Sequence, residues 1–152
     1  VKKDHKIRIG ISLGDLNGIG IEVILKTFQD QRMLDFCTPI IFGSTKTVSY
    51  HKNTLNFKNN IQGISHISNH LQGKINLLNI WQETVAINLG QASNEVGKYA
   101  YLSLEKATEA LKNNSIDVLV TAPINKQTIQ SDAFKFKGHT EYLESQLEGE
   151  SL

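Results

Sequence analysis

The sequence predicts an α/β sandwich built from parallel β-α-β units. Three observations point there. Short apolar runs alternate with segments of helical periodicity, the pattern that puts parallel strands in the middle and helices over them. The first run passes straight into a glycine-rich turn, "GDLNGIG", and then into an amphipathic helix. The last run, "IDVLVTA", Ile116 to Ala122, is apolar enough to be a strand buried on both faces.

Each element follows from its own residues. Ile7, Ile9 and Ile11 alternate with Arg8 and Gly10 as a strand does. Ile21, Ile24, Leu25 and Phe28 recur at helical spacing, predicting a helix that opens near Gly20 and runs to about Phe36. "PIIFG", Pro39 to Gly43, and "KINLLNI", Lys74 to Ile80, read as two further buried strands. The asparagine-rich stretch between them is weakly periodic and is expected to hold one short helix and an exposed connection. Val96, Ala100, Leu104, Ala107 and Leu111 line one face of the longest helix, with Ser93 as N-cap. Ile116 to Ala122 is then the fourth strand. "TEYLESQLEGESL" follows as a helix with Leu143 and Leu147 on one face, ended by Gly149. Another strand should come next, so residues 1–152 are expected to be part of a longer protein.

Composition narrows the function. At 152 residues the chain can bury one core, and 39% hydrophobic with 20% charged residues is ordinary for a globular protein. A net charge of +1, with Arg8 and Arg32 as the only arginines, lacks the basic stripe of a nucleic-acid groove. No run approaches the roughly 18 apolar residues of a membrane span, and the N-terminus has no cleavage-site pattern, so neither membrane nor export is expected. Cys37, the single cysteine, cannot close an internal disulfide; a buried free thiol in a reducing, cytoplasmic compartment fits.

Four motifs carry possible chemistry. "GDLNGIGIE", Gly14 to Glu22, occupies a strand-to-helix turn, where α/β proteins place ligands, but its glycines match neither GxGxxG nor the phosphate loop. Backbone N–H groups there can hold an anion, which Asp15 would oppose; the other reading is a tight turn. "TAPINK", Thr121 to Lys126, ends the fourth strand at the same sheet edge. Asn125 and Lys126 either meet a phosphorylated or carboxylated substrate or serve as a helix cap and a solvated charge. His66 and His70 have chelating spacing but no third ligand, and a solvated loop suits them better. His5 and His51 stand among polar residues and carry no signal. In "KGHTEYLES", Gly138 permits a sharp turn, Thr140 is a good N-cap and Glu141 complements the helix dipole. His139 and Thr140 can also donate to carboxylate or phosphate oxygens.

Taken in order, "GDLNGIGIE", "ASNEVGKYAYLSLEKA", "DVLVTAPINK" and "GHTEYL" resemble the N-terminal part of the PdxA family, the 4-hydroxythreonine-4-phosphate dehydrogenases of vitamin B6 biosynthesis. The resemblance implies a three-layer α/β/α sandwich with a mostly parallel sheet, related to isocitrate and isopropylmalate dehydrogenases and incomplete in this chain. It also implies a larger two-domain enzyme working as a homodimer with active sites at the subunit interface. The family oxidises 4-phosphooxy-L-threonine with NAD or NADP, and the β-keto acid formed loses CO₂ to give 3-amino-2-oxopropyl phosphate. A divalent metal (zinc, magnesium or cobalt) holds the substrate, on ligands implied to lie outside this chain.

By the same resemblance His139 and Thr140 contact substrate, and Thr121, Pro123 and Lys126 are active-site-proximal candidates; Asn125 and Asp15, by their place in the two sheet-edge turns, are possible further ones, and the catalytic residues stay unassigned. Leu16, Asn17 and Ile21 depart from the family's "GDPAGIGPE" and leave the subfamily open, because related enzymes act on D-threonate or D-erythronate 4-phosphate. A different class, a non-catalytic module binding a phosphorylated metabolite, is the remaining alternative.

Overall fold

The computed structural model describes residues 5–131 and 133–149. Five strands, β1 (Ile7–Ser12), β2 (Cys37–Gly43), β3 (Ile61–Ile64), β4 (Ile75–Asn79) and β5 (Val118–Thr121), form one sheet in the order β3-β4-β2-β1-β5. Every pairing is parallel. The helices are α1 (Gly20–Thr27), α2 (Met33–Phe36), α3 (Thr45–Thr54), α4 (Asn94–Lys112) and α5 (His139–Gln146).

The register assigns the faces. Ile11 pairs with Ile41 and Val120, and Ile41 with Leu77, so these side chains share one face. There Ile11, Ile41 and Leu77 join Ile24 and Leu25 of α1 and Val48 of α3 in the main core. On the other face Ile40 and Phe42 pack against Ala107 and Ala110 of α4, together with Ile116. The result is the expected α/β/α layering around a parallel sheet.

Pro39 lies inside a central strand yet costs the ladder little. On the β4 side pairing begins only at Ile40, and the Pro39 carbonyl instead accepts from Asn76 Nδ2 at 3.3 Å. Asn76, fully buried, also donates to the carbonyls of Leu71 and Lys74 and accepts from the Leu71 N–H, so its amide is satisfied without water.

Several expectations need correction. The helix predicted from Gly20 to Phe36 stops at Thr27. Asp30 Oδ1 accepts the Arg32 N–H at 3.0 Å, its carbonyl accepts the Met33 N–H, and this local turn displaces the helical pattern before α2 restarts it. The asparagine-rich connection contains both α3 and an extra strand, β3, whose exposed Gln62 and Gly63 hide the alternation. The last strand is not buried on both faces: β5 is an edge, α4 covers one side, and Val118 and Val120 remain 43% and 47% exposed. Ser93 takes the N-cap position of α4, but its side chain makes no capping bond. The final helix ends at Gln146, short of Gly149, and Tyr142 is its buried anchor where Leu143 and Leu147 were expected.

Cys37 is buried, donates to the Met33 carbonyl at 3.4 Å, and burial pushes its thiol pKa up. Both features suit a core thiol. No helix among the described residues is long and apolar enough to cross a membrane.

Candidate active site

Because β5 pairs with β1, with Ser12 opposite Thr121, the two turns that follow these strands emerge side by side at the carboxyl edge of the sheet. Their backbones interlock: the Asp15 N–H donates to the Pro123 carbonyl at 2.9 Å, and the Ala122 N–H to the Ser12 carbonyl at 3.1 Å. Gly14 makes this approach possible. Its φ is +68°, and a Cβ there would overlap the Pro123 carbonyl oxygen.

Within the first turn, Asp15 Oδ1 accepts the Asn17 N–H at 3.0 Å, and the Asp15 carbonyl accepts the Gly18 N–H at 3.0 Å. The half-buried carboxylate therefore shapes the turn as well as lying at the edge. In the second, Asn125 Oδ1 accepts from the N–H groups of Gln127 and Thr128, and its carbonyl from Ile129. Asn125 Oδ1 thus caps a single turn and not a full helix. Lys126 is exposed. Thr121 is half-buried at the rim of a cavity of about 260 Å³ whose other lining residues include Ile9, Ile11, Val23, Met33 and Val120. This cavity holds no charged side chain and does not suit a phosphorylated substrate.

His139 opens α5 as its first residue, and Gly138 is the N-cap. Thr140, expected at the cap, is the second helical residue and exposed. Gly138 is extended, φ −178°, so no glycine-only conformation is needed there. A Cβ on Gly138 would stand 3.7 Å from Lys126 Cε, which brings the second turn and the start of α5 together. Burial first, and the Lys126 charge second, push the His139 pKa below the usual histidine range. The imidazole is thus neutral near pH 7. Its Nε2 is enclosed and has no hydrogen-bond partner among the described residues.

His66 and His70 flank a single 3-10 turn, Ile67–Asn69, and His70 Nδ1 bonds the Ile67 carbonyl at 2.8 Å. Among the described residues no three His, Cys, Asp or Glu side chains converge to hold a metal.

Two residues were missed by sequence reasoning. His51, dismissed for its polar neighbours, is 1% exposed, and its Nε2 lies 2.8 Å from the Leu16 carbonyl. Its spacing from Thr47 and Val48 places it on the buried side of α3, a readable signal. Asn17, noted only as a departure from a pattern, is 2% exposed and bonded to a third segment of the chain.

The sequence profile of the family described as pyridoxal phosphate biosynthetic protein PdxA matches residues 35–152. A 4-hydroxythreonine-4-phosphate dehydrogenase of Bacteroides thetaiotaomicron is 46% identical over 145 residues, covering 95% of this chain and 40% of the relative. Clostridium botulinum proteins provisionally named D-threonate 4-phosphate dehydrogenase are 28% identical over 92% of this chain and 43% of theirs. Among solved structures, a 4-hydroxythreonine-4-phosphate dehydrogenase from Burkholderia phymatum superimposes with a TM-score of 0.84 at 28% identity, covering 94% of this chain and 44% of that one. The chain thus spans about two fifths of the length of the curated relatives it matches.

Proposed function

Since the chain belongs to the family of the pyridoxal phosphate biosynthetic protein PdxA, we propose that it is the N-terminal, substrate-holding portion of a two-domain 4-hydroxythreonine-4-phosphate dehydrogenase. The proposed reaction is oxidation of the secondary alcohol of 4-phosphooxy-L-threonine, for which NAD or NADP, when bound, would supply the hydride acceptor while a base takes the hydroxyl proton. The resulting 2-amino-3-oxo-4-phosphooxybutanoate then loses CO₂ to give 3-amino-2-oxopropyl phosphate.

Among the described residues nothing fits either the cofactor or the metal. The 14–20 turn lacks the dinucleotide fingerprint and carries Asp15, and no metal-ligand cluster occurs among the described residues. Both groups would be held by residues outside this chain. What the chain contributes is binding: Lys126 supplies a positive point charge for phosphate or carboxylate, and His139 a neutral imidazole. The observation carrying the reading is His139 beside Lys126, with an Nε2 that has no hydrogen-bond partner among the described residues. A buried polar atom left unpaired costs about 1–3 kcal/mol, which a substrate oxygen would recover once binding shifts the start of α5 enough to admit it. Homodimerisation with an interface active site, in the cytoplasm, belongs to the same proposal.

A second reading is oxidation of D-threonate or D-erythronate 4-phosphate: the Clostridium botulinum relatives support the D-threonate form, and the Leu16, Asn17 and Ile21 departures leave the subfamily open. Turnover separates them: with the protein at the length of its relatives, NAD or NADP reduction is expected with 4-phosphooxy-L-threonine and a divalent metal. Faster turnover of either sugar-acid phosphate would move the assignment to the second reading, and no reduction with any of the three would end both.

A further inference from the structure

Asn17 stands where the family pattern has alanine, and it does something alanine cannot. Its Nδ2 donates to the Gln91 carbonyl at 3.0 Å, and its Oδ1 accepts the Asn88 N–H at 2.9 Å. Its own carbonyl accepts the Gly90 N–H at 2.8 Å, and its N–H donates to Asp15 Oδ1 at 3.0 Å. All four polar groups of a residue only 2% exposed are therefore used, three of them on residues 88–91.

The 88–91 segment is a tight turn, closed by the Gln91 N–H on the Asn88 carbonyl at 3.1 Å, with Gly90 at φ +79°. Asn88, Leu89 and Gln91 are exposed. Apolar burial therefore does not hold this turn; the preceding Val85 and partly buried Ile87 reach the core, and beyond them the Asn17 amide sets its place. The Asn17 contacts thus set the 88–91 turn against the 14–20 turn, which Asp15, two residues earlier, bonds to Pro123 in the turn that leads to Lys126.

We infer that Asn17 is a positioning residue: it fixes the 88–91 turn as a third wall of the phosphorylated-substrate site, with the exposed side chains of Asn88 and Gln91 available to substrate. The wall rests on the substrate-site reading above; the tethering of the turn by Asn17 does not.

The test uses the protein at the length of its relatives, with Asn17→Ala and Asn17→Asp. Alanine is the family's own residue there, so the fold is expected to survive. Amide exchange at Asn88 should rise about tenfold or more in Asn17→Ala, and Asn17→Asp, which keeps the acceptor but not the donor, should restore part of that protection. For whichever phosphorylated substrate the wild type oxidises, KM should rise about fivefold in Asn17→Ala while kcat falls less. Unchanged Asn88 exchange overturns the tether, whatever the activity. Raised exchange with an unchanged KM overturns the wall and leaves the tether. A wild type that oxidises none of the three substrates removes the substrate-site reading and the wall with it, while the exchange data still decide the tether.

Discussion

The imidazole of His51 reaches across 35 residues of sequence to hydrogen-bond the Leu16 carbonyl oxygen at 2.8 Å. A carbonyl only accepts, so Nε2 carries the proton and Nδ1 is the bare nitrogen. Nδ1 is buried without a partner among the described residues. One side chain of α3 thereby holds the turn that contains Asp15 and Asn17. His51→Ala should cost about 2–3 kcal/mol of stability through the lost bond and the space left behind, and His51→Gln, whose Nε2 can reach the same carbonyl, should recover part of it. Denaturant midpoints of the three proteins check this.

The same burial makes stability depend on pH. Burial pushes the His51 pKa below its ordinary 6.5, and His139 moves the same way. Below about pH 6.5 the unfolded chain therefore binds protons that the folded chain refuses, so stability falls with falling pH until the folded-state values are passed. Urea midpoints should decline between pH 7 and pH 5, and His51→Gln should flatten that decline. A slope unchanged by the substitution would assign it to other groups.

At the opposite end of the sheet, Arg8 clamps Asp117. Its Nε and Nη2 donate to the two carboxylate oxygens at 3.1 and 3.0 Å, and its backbone N–H adds a third bond at 2.8 Å. The Arg8 hydrogen bonds hold the Asp117 pKa down, to about 2. This contribution is present above the ordinary carboxyl value of 3.8 and is lost as pH falls toward 2. The pair is partly exposed, 24% and 34% of each side chain, so solvent screening reduces its worth. Asp117→Asn should cost about 1 kcal/mol near neutral pH and nothing measurable near pH 2, read from denaturation at the two conditions.

His139→Ala tests the substrate contact. In the protein at the length of its relatives, kcat/KM should drop about 10- to 100-fold, the usual worth of a hydrogen bond to a charged group, while metal content stays intact. Elemental analysis alongside kinetics separates the outcomes, since loss of metal would mean that the imidazole is a ligand.

Gly14→Ala should be among the most damaging small substitutions. The φ of +68° alone costs a non-glycine residue about 1 kcal/mol or more, and the added Cβ meets the backbone of Ala122 and Pro123, which cannot swing aside as a side chain could. A drop in thermal midpoint well beyond that of Gly73→Ala, which shares a positive φ but has open space around it, separates the clash from the strain.

The strands and helices legible in the chain are those whose apolar spacing is local. Ile7, Ile9 and Ile11 announce β1, and Val96 to Leu111 announce α4, because the burial that stabilises each is written at a period of two or of three to four. β3 escaped because its exposed Gln62 and Gly63 break the alternation, and the end of α1 escaped because an Asp30 side chain outcompeted the helix. That Lys126 and His139 come together left no trace in the spacing, since they stand 13 positions apart with no shared periodic pattern.

By itself, then, the sequence determined the α/β class, the order of most elements, the family and the sheet edge at which ligands are expected. Only the tertiary structure decided that β5 lies beside β1 as an exposed edge, that Asn125 caps a turn, and that His51 and Asn17 hold the 14–20 turn. Those contacts join residues 35, 71 and 74 positions apart. Helical and strand periodicity reports each element's own buried face, whereas a polar contact between distant turns leaves no repeating trace; it comes into being when the sheet order brings the two backbones within hydrogen-bonding reach.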